Sequence, residues 1–339
     1  MTDEPRQPPS GPNFVSAQQV AERAGVSRSA VSRAFTPGAS IGRETREKVM
    51  KAALDLGYQV NDLARGLIAR QSRLVGIIAT RPEVGFRALL VAALSKALIA
   101  RGNLPVLLNT GDTEREMQAT QNMLLGYRAE ATIVLSGSPP ETMLEGARRT
   151  GQPLVLIGRS DPGTDSVLAD NEGAARQAAE RLVARGGRRL ALVGASIGTQ
   201  TIVERERAFV EAIRNLGAEA QVVRGADADY AGGETAARRL FDRGAPPDAV
   251  FCVNDLLAMG LIDHARQSAG RRIPEDMAVI GFDDLPDAAR STYLLTTFFQ
   301  DPVAVAAKAI ALLDRRQSNP AAAPVLERVP VAFVPRESG

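Results

Sequence analysis

Two arginines and a serine of one short segment could donate hydrogen bonds to an external partner. Arg28, Ser29 and Arg33 follow Gly25 in the segment AQQVAERAGVSRSAVSRAF, and helical spacing places all three on one face. Arginine can donate two hydrogen bonds to guanine, and serine can bond bases or phosphates. We therefore predict that these three side chains read base edges. An ordinary helical hairpin with a solvated outer face is the alternative explanation.

A second set of polar side chains follows the short apolar segments of the later chain. Carboxylates and amides form strong, directional hydrogen bonds with a small ligand, in particular when a guanidinium group joins them. Capping of the helix after each strand is the alternative role for every one of these pairs. The pairs are Asp170 and Asn171, Asn254 and Asp255, and Asp283 and Asp284.

The residues that catalysis or metal binding would need are scarce in this sequence. It contains one histidine, His264, and one cysteine, Cys252, which is too few for a zinc site or an internal disulfide. It has no Walker loop, dinucleotide-binding glycine pattern or GxSxG segment. We interpret His264 as a solvent-facing or interface residue and Cys252 as a buried small hydrophobe. The sequence thus predicts a non-enzymatic protein without cofactor or metal, in a reducing compartment.

Three short helices are predicted to carry the arginines. The apolar spacing indicates helices over residues 17–23, 27–34 and 43–56, with turns at Gly25 and at Pro37 with Gly38. Ser27 is a suitable N-cap for the second helix. This arrangement is that of a helix-turn-helix unit. Four residues can close its small core: Val20, Ala24, Val26 and Val31.

From Leu74 onward, short apolar segments alternate with longer Ala-rich helical segments such as Arg87 to Ala100 and Glu172 to Arg185. This alternation predicts parallel sheets with helices on both faces. The pattern repeats before and after Asp170, which predicts two similar doubly wound subdomains with a ligand cleft at the carboxyl ends of their strands. The predicted strands are LVGIIAT, PVLLNT, ATIVLS, PLVLIG, RLALVGA, AQVVRG, AVFCVND and MAVIGFDD.

Charge is distributed unevenly along the chain. The formal net charge is +2, but residues 14–73 contain ten Lys and Arg against five Asp and Glu. A basic N-terminal segment followed by a nearly neutral remainder is expected of a protein that binds a polyanion at one end. A solvated charged helix is the alternative explanation, because such helices often contain clusters of like charge. Residues 1–13 are polar and proline-rich, so we predict a disordered tail rather than a signal peptide, with no membrane contact and a cytoplasmic location.

The sequence resembles the lactose-repressor (LacI/GalR) family of bacterial transcription regulators. The resemblance covers nearly everything after the proline-rich tail. It implies an N-terminal all-α helix-turn-helix module followed by an α/β core of two doubly wound, periplasmic-binding-protein-like subdomains. The matching segments are VAERAGVSRSAVSRAF, ETREKVMKAALDLGY, VNDLARGLIARQSRLVGII, DNEGAARQAAERLVARGGRRLALVG, FCVNDLLAMG, IPEDMAVIGFDD and LTTFFQ.

For the linker, the resemblance implies a hinge helix formed by Ala64, Arg65 and Leu67, with Leu67 wedged between bases in the minor groove. Such a wedge unstacks bases and is offset by the wider contact that bent DNA allows. The chain departs from the family with Gly66 in place of the usual serine and Ile68 where a basic residue is frequent. Glycine costs up to about 1 kcal/mol of helix propensity, so we expect a hinge that is less helical off DNA.

For the core, the resemblance implies that the effector contacts are Asp170, Arg205, Asn254 and Asp283. Phe86 and the polar loop from Ser196 to Thr201 are further candidates, although Phe86 could be a buried helix-start residue and the loop could simply face solvent. Arg207 adds a second charge beside the family arginine. We take that extra charge as a sign of a phosphorylated or acidic effector.

The expected domains are a tail (1–13), a helix-turn-helix domain (14–59), a hinge linker (60–73) and an effector-binding and dimerisation domain (74–339). Within the last, we predict an N-subdomain at about 74–169 and 299–326 and a C-subdomain at about 170–298 and 327–339. Dimer contacts are expected from Arg87–Ala100 and Leu261–Gln267.

The function expected from these features is that of a transcription regulator, a repressor on family grounds. It would bind a pseudo-palindromic operator on double-stranded DNA as a homodimer and be gated by a sugar or nucleoside-like effector. A solute-binding receptor would need a secretory signal and no DNA module. An enzyme fused to a helix-turn-helix would need a catalytic constellation. Neither requirement is met in the sequence.

Overall fold

The computed structural model divides the chain into two compact units, Met1–Ser72 and Arg73–Gly339. It describes residues 14–36, 38–60, 72–110, 113–135, 141–242 and 244–339. The predicted tail at 1–13 and Pro37 lie outside the described residues.

The first unit contains the three predicted helices, which are α1 (Ala17–Ala24), α2 (Arg28–Ala34) and α3 (Arg43–Leu56). The predicted bounds agree to within one residue. Val20, Val31 and Val49 are almost fully buried where the helices meet. Ala24 and Val26, also predicted for this core, pack against it while half-buried. One apolar cluster therefore fixes the position of α2 against its neighbours.

Local capping explains where α1 ends and α2 begins. Gly25 closes α1 with φ +67°, a left-handed conformation that costs glycine no steric penalty. The Ser27 side chain accepts a hydrogen bond from the Ala30 backbone N–H at 3.2 Å, as its predicted N-cap role requires. The turn between these residues sets the direction in which α2 projects from the unit.

The second unit alternates strands and helices along its whole length. Parallel strands need crossover connections, and a helix provides nearly every one. In chain order the elements are β1 (Leu74–Ala79), α4 (Phe86–Ala100), β2 (Leu104–Asn109), α5 (Glu114–Gly126), β3 (Ala131–Leu135), α6 (Glu141–Thr150), β4 (Leu154–Ile157), β5 (Asp165–Ala169), α7 (Asn171–Ala184), β6 (Leu190–Ala195), α8 (Gln200–Asn215), β7 (Ala220–Gly225), α9 (Tyr230–Phe241), β8 (Ala249–Cys252), α10 (Asp255–Gln267), β9 (Ala278–Ile280), a 3₁₀ turn (Pro286–Ala289), β10 (Thr297–Phe299), α11 (Pro302–Ser318), β11 (Leu326–Val329) and β12 (Ala332–Val334).

These strands form two parallel sheets and a short antiparallel pair. The first sheet has the order β11-β5-β4-β3-β1-β2, and the second has the order β7-β6-β8-β9. The antiparallel pair is β10 with β12. Leucines and valines of α4 and α11 cover one face of the first sheet, and α5 and α6 cover the other. The predicted pair of doubly wound subdomains is confirmed.

The chain passes between the two subdomains three times, after β5, after β10 and after β11. The predicted boundary at about residue 326, where the chain was expected to leave the N-subdomain, is wrong. It comes too early, because β11 pairs with β5 in the first sheet from Leu326 to Val329. The segment LERV is short and half polar, so its pattern of apolar and polar residues does not indicate which sheet it joins. The N-subdomain therefore continues to Val329, and β12 belongs to the C-subdomain.

Part of the predicted dimer surface is buried within the protein. Leu261, Ile262 and Ala265 of α10 are fully buried in the C-subdomain core, so they cannot contact a second chain. The prediction overlooked that α10 is packed along most of its length. His264 on the same helix is half-buried, and its ring centre lies 6.0 Å from that of Phe241.

No helix in the described parts of the chain is long and apolar enough to cross a membrane. Within the same ranges, no group of three or more His, Cys, Asp or Glu side chains is placed to hold a metal ion. Cys252 is fully buried in β8, as predicted, and burial raises the pKa of its thiol well above the usual range.

Candidate functional site

The predicted base-reading side chains lie on the outer face of α2. Arg28, Ser29 and Arg33 are exposed, whereas Ala30 and Val31 of the same helix are buried in the three-helix core. The face presents two guanidinium groups and a hydroxyl. These groups are suited to base edges and to phosphates.

Few contacts within the protein engage these side chains. The Ser29 hydroxyl lies 2.9 Å from that of Ser27, and Arg33 Nε donates to the Ser29 carbonyl at 3.3 Å. The terminal nitrogens of Arg33, and the whole guanidinium of Arg28, have no partner among the described residues. They are available to an external acceptor.

Arg46 of α3 plays a part that the sequence did not predict. Its guanidinium donates to the backbone carbonyls of Ala34 at 2.8 Å and Ala39 at 3.3 Å. These bonds satisfy carbonyls at the end of α2 and hold the following loop against α3. One arginine in a charged helical run carries no sequence signal for such a role.

The predicted hinge residues Ala64, Arg65 and Leu67 lie outside the described residues, as do Gly66 and Ile68. Their roles on DNA stay predictions.

A cavity of about 140 Å³ lies between the subdomains of the second unit. It opens at the carboxyl ends of strands from both parallel sheets, where the sequence predicted a cleft. Its wall combines apolar side chains with a few polar ones. The lining residues are Val84, Gly85, Phe86, Arg87, Leu90, Leu135, Ile157, Gly158, Val167, Ala169, Ile197, Thr199, Thr201, Ile202, Arg205, Asp227, Ala228, Asn254, Leu256, Asp283, Gln300 and Val305.

Arg205 of α8 is the most constrained charged group of this wall. It is 5% exposed, and its guanidinium carbon lies 3.4 Å from the centre of the Phe282 ring. Nε donates to Asn171 Oδ1 at 2.8 Å, and one terminal nitrogen donates to the Val253 carbonyl at 2.7 Å and lies 3.9 Å from Asp283 Oδ1. Burial lowers the pKa of Arg205 to about 10, so the group stays charged.

Two buried carboxylates lie close to that arginine. Burial raises the pKa of Asp283 to about 6, opposed by Arg205 and by a 2.6 Å hydrogen bond from Gln300 Nε2. Burial, and then repulsion by Asp283, raise the pKa of Asp255 to about 7. Asp255 accepts hydrogen bonds from the Thr297 hydroxyl and the Leu285 backbone N–H. The pair therefore holds a proton near neutral pH more readily than free aspartates would.

The raised pKa of Asp255 makes stability depend on pH. The folded chain binds more protons than the unfolded chain between about pH 4, the ordinary aspartate value, and pH 7. The contribution of Asp255 to stability therefore falls as pH rises through this interval. We expect the isosteric variant Asp255→Asn to lose that component, so that urea unfolding at several pH values gives a less negative slope than for the wild type. Equal slopes in the two proteins would contradict the assignment.

Asn254 lies on the cavity wall and also caps α10. Its Oδ1 accepts from the Leu257 backbone N–H at 2.9 Å, and its Nδ2 donates to the Ala228 carbonyl at 2.8 Å. Asn254 therefore does both: it caps α10 and lines the cavity.

Asp170, a predicted effector contact, is not among the residues that line the cavity. Its Oδ1 accepts from the Gly173 backbone N–H at 3.0 Å and caps α7. The next residue, Asn171, is fully buried and contacts Arg205 of the cavity wall. Its Oδ1 accepts from Arg205, and its Nδ2 donates to Glu204 at 2.8 Å. The side chain of Asp170 thus caps its own helix, and its contact with an effector stays a prediction.

Phe86 and the loop before α8 do line the cavity. Phe86 begins α4 and also packs against the core of the first sheet. Ile197, Thr199 and Thr201 represent the predicted loop on the opposite wall.

Arg207 does not face the cavity. Its side chain is 66% exposed and forms an ion pair with Glu172 of α7. One residue separates Arg205 from Arg207 on α8, so the two side chains point in different directions around the helix. The acidic-effector hypothesis loses its support from Arg207.

Three polar lining residues were missed by the sequence. Arg87 is the second residue of α4, whereas Asp227 and Gln300 follow β7 and β10 respectively. Gln300 and Asp227 each come just after a strand, which is the signal that could have identified them. Arg87 sits within the predicted helix, where periodicity gives no indication of a cavity.

Side chains also connect the two subdomains directly. Arg81, in the loop after β1, forms ion pairs with Asp227 at 2.6 Å and Asp229 at 3.6 Å. The Ser160 backbone N–H donates to Gln200 Oε1 at 2.8 Å, and Gln200 Nε2 donates to the Ser160 hydroxyl at 3.0 Å. A change in the separation of the subdomains would have to break or rearrange these contacts.

Two family models match the chain. Residues 17–61 match the model described as bacterial regulatory proteins, lacI family, and residues 179–339 match the periplasmic binding protein-like domain.

Among curated proteins, the chain is 31% identical over 333 residues to the HTH-type transcriptional regulator CelR of Thermobifida fusca, covering 95% of this chain and 97% of that protein. It is 30% identical over 310 residues to the HTH-type transcriptional repressor PurR of Erwinia tasmaniensis, covering 89% of this chain and 90% of that protein.

Solved structures agree with these relatives. The lac repressor dimer bound to operator and the anti-inducer ONPF matches with a TM-score of 0.87 at 25% identity, covering 96% of this chain and 99% of that chain. A complex of the transcriptional regulator CelR with cellobiose matches with a TM-score of 0.72 at 29% identity, covering 96% and 100% of the two chains.

Proposed function

The chain belongs to the lacI family of bacterial regulatory proteins, and we propose that it is a repressor gated by a small molecule in the cavity between its subdomains. It is a DNA-binding transcription regulator. One observation carries the proposal. The same chain contains exposed Arg28, Ser29 and Arg33 side chains on one helix and a cavity, with a few polar groups in its wall, that is lined by two separate subdomains.

The proposed operator contact uses α2. Base edges in the major groove offer acceptors to Arg28 and Arg33, while the basic surroundings attract phosphates. Repression is the proposed outcome because the relatives include transcriptional repressors named PurR.

The proposed active form is a homodimer. One helix-turn-helix contacts only a few base pairs, whereas two copies on a two-fold axis read a pseudo-palindrome. The end of α4 and the edge strand β2 offer a surface for the second copy, because Ile99, Leu104 and Leu107 are large apolar side chains that are 43–63% exposed. We take these exposed side chains at one edge of the first sheet as the candidate interface. The lac repressor structure that matches this fold is a dimer.

Gating follows from the position of the cavity. A ligand that contacts both subdomains stabilises one separation of them over another, in proportion to its difference in affinity for the two states. The wall offers Arg205, Asp283, Asn254 and Thr199 to a hydroxylated ligand. The proposal includes no catalytic step, and it places the protein where its operator is, in the cytoplasm.

Fluorescence anisotropy would test the proposal directly. The full chain is titrated against the promoter region of its own gene cluster at two salt concentrations, with a panel of sugars and nucleobases added in turn. Salt-sensitive, sequence-selective binding that one compound shifts is the expected result. Binding no tighter than to random DNA, both there and after selection from random sequences, would refute the DNA-reading function.

A further inference from the structure

Arg87 is the one charged residue of the cavity wall that lacks a partner in the described parts of the chain. The other charged lining groups are engaged within the protein. Arg205 bonds Asn171 and the Val253 carbonyl and lies near Asp283. Asp227 is paired with Arg81. Arg87 therefore brings into the cavity a cation that the protein leaves uncompensated by contact.

The surroundings of Arg87 disfavour its charge. Burial lowers the pKa of Arg87, and the nearby Arg81 cation adds to the effect. The carboxylates of Asp227, Glu83 and Asp283 act in the opposite direction, but none of them forms an ion pair with the guanidinium. A half-buried guanidinium without a bonded acceptor is costly, and an anion that reaches it would be bound strongly.

We propose that Arg87 selects an effector that carries an anionic group, a carboxylate or a phosphate. The proposal rests on the proposed function, because it treats this cavity as the effector site. The planar guanidinium can hold either anion through two parallel hydrogen bonds. Thr199, Asn254 and Gln300 line the same cavity and can bind hydroxyl groups of the same molecule. The effector class is thus a small hydroxylated acid or a small phosphorylated sugar.

The size of the cavity favours a small ligand. Its volume is about 140 Å³, and it is partly open to solvent, so a ligand can also extend beyond the enclosed part. Monosaccharide-sized acids are therefore the first probes to test.

Isothermal titration calorimetry of the full chain with matched neutral and acidic probes would test the proposal. The probes are glucose, glucuronate and glucose 6-phosphate, and ribose with ribose 5-phosphate. We expect at least one acidic probe to bind about 10- to 150-fold more tightly than its neutral counterpart, the range for a hydrogen bond to a charged group. Which acidic probe binds distinguishes carboxylate from phosphate.

Two variants make the test specific. Arg87→Gln should remove most of the preference for the acidic probe and leave any affinity for its neutral counterpart within about twofold. Arg207→Gln removes a cation that is exposed and paired with Glu172, so it should change neither. A neutral probe that binds as tightly as its acidic counterpart, an Arg87→Gln variant that retains the preference, or no acidic probe binding at millimolar concentration would each overturn the proposal.

Operator binding without effector, measured on the same three proteins, separates this inference from the proposed function. If all three bind operator alike but Arg87 shows no role in ligand preference, only the anionic-effector inference fails. If the wild type itself does not bind DNA selectively, the regulator function is what fails, whatever the calorimetry shows.

Discussion

Replacing Arg205 with methionine is expected to lower the free energy of unfolding by about 3–5 kcal/mol, the usual result of removing one partner from a buried ion pair. The variant removes from the buried Asp283 the cation that lowers its pKa most, and it leaves Asn171 Oδ1 and the Val253 carbonyl without their donor. Methionine keeps much of the volume and the contact with Phe282, so a packing defect would add little. Urea unfolding of the full chain followed by circular dichroism measures the change.

Arg181 provides a matched control for this prediction. Its guanidinium carbon lies 3.6 Å from the centre of the Phe333 ring, much as Arg205 lies over Phe282, but its side chain is exposed. An exposed cation–π contact contributes only about 0.5–1 kcal/mol, so Arg181→Met should have a correspondingly small effect. Similar losses in the two variants would show that stacking, and not the buried polar network, makes Arg205 important.

The fold was predictable because its signals are local and repeated. Apolar strands such as β6 are buried on both faces, so they appear in the sequence as unbroken apolar runs. Gly25 and Ser27 marked the turn of the first unit through backbone and capping chemistry that acts over a few residues. The boundary at β11 was missed because a half-polar edge strand carries no comparable pattern, and its place is decided by pairing with a strand about 160 residues earlier.

The candidate site was only partly predictable, because it depends on the direction in which each side chain points as much as on the residue type. Arg205 and Asp283 were identified by resemblance, and both line the cavity. Asp170 has the expected type and position after a strand, but its carboxylate turns toward the N–H groups of its own helix. Arg205 and Arg207 are two residues apart on one helix, so their side chains point to different sides of it, and only Arg205 lines the cavity. Arg87 reaches the cavity because α4 begins at its edge, which composition and periodicity do not reveal.

Double substitution of Arg28 and Arg33 with alanine is expected to abolish the preference for operator over random DNA. Each bidentate contact between arginine and guanine contributes about 1–3 kcal/mol of discrimination, and a dimer would lose both arginines in each half-site. The combined loss is expected to exceed 100-fold in operator affinity, with a much smaller change for random DNA. The three-helix unit should stay folded, because both side chains are exposed and its core lies on the opposite side of α2.

Lys51→Ala distinguishes base reading from a general loss of positive charge. Lys51 is an exposed cation on α3 and not on the proposed base-reading helix, so its removal should weaken operator and random DNA to a similar extent. The salt dependence separates the two roles of the arginines. A phosphate contact lowers the slope of log affinity against log salt by about 1 when it is lost, whereas a base contact changes affinity for one sequence with little change in slope. If the double variant lost slope and kept its preference for operator, Arg28 and Arg33 would be phosphate contacts, and sequence recognition would have to come from other residues of the regulator.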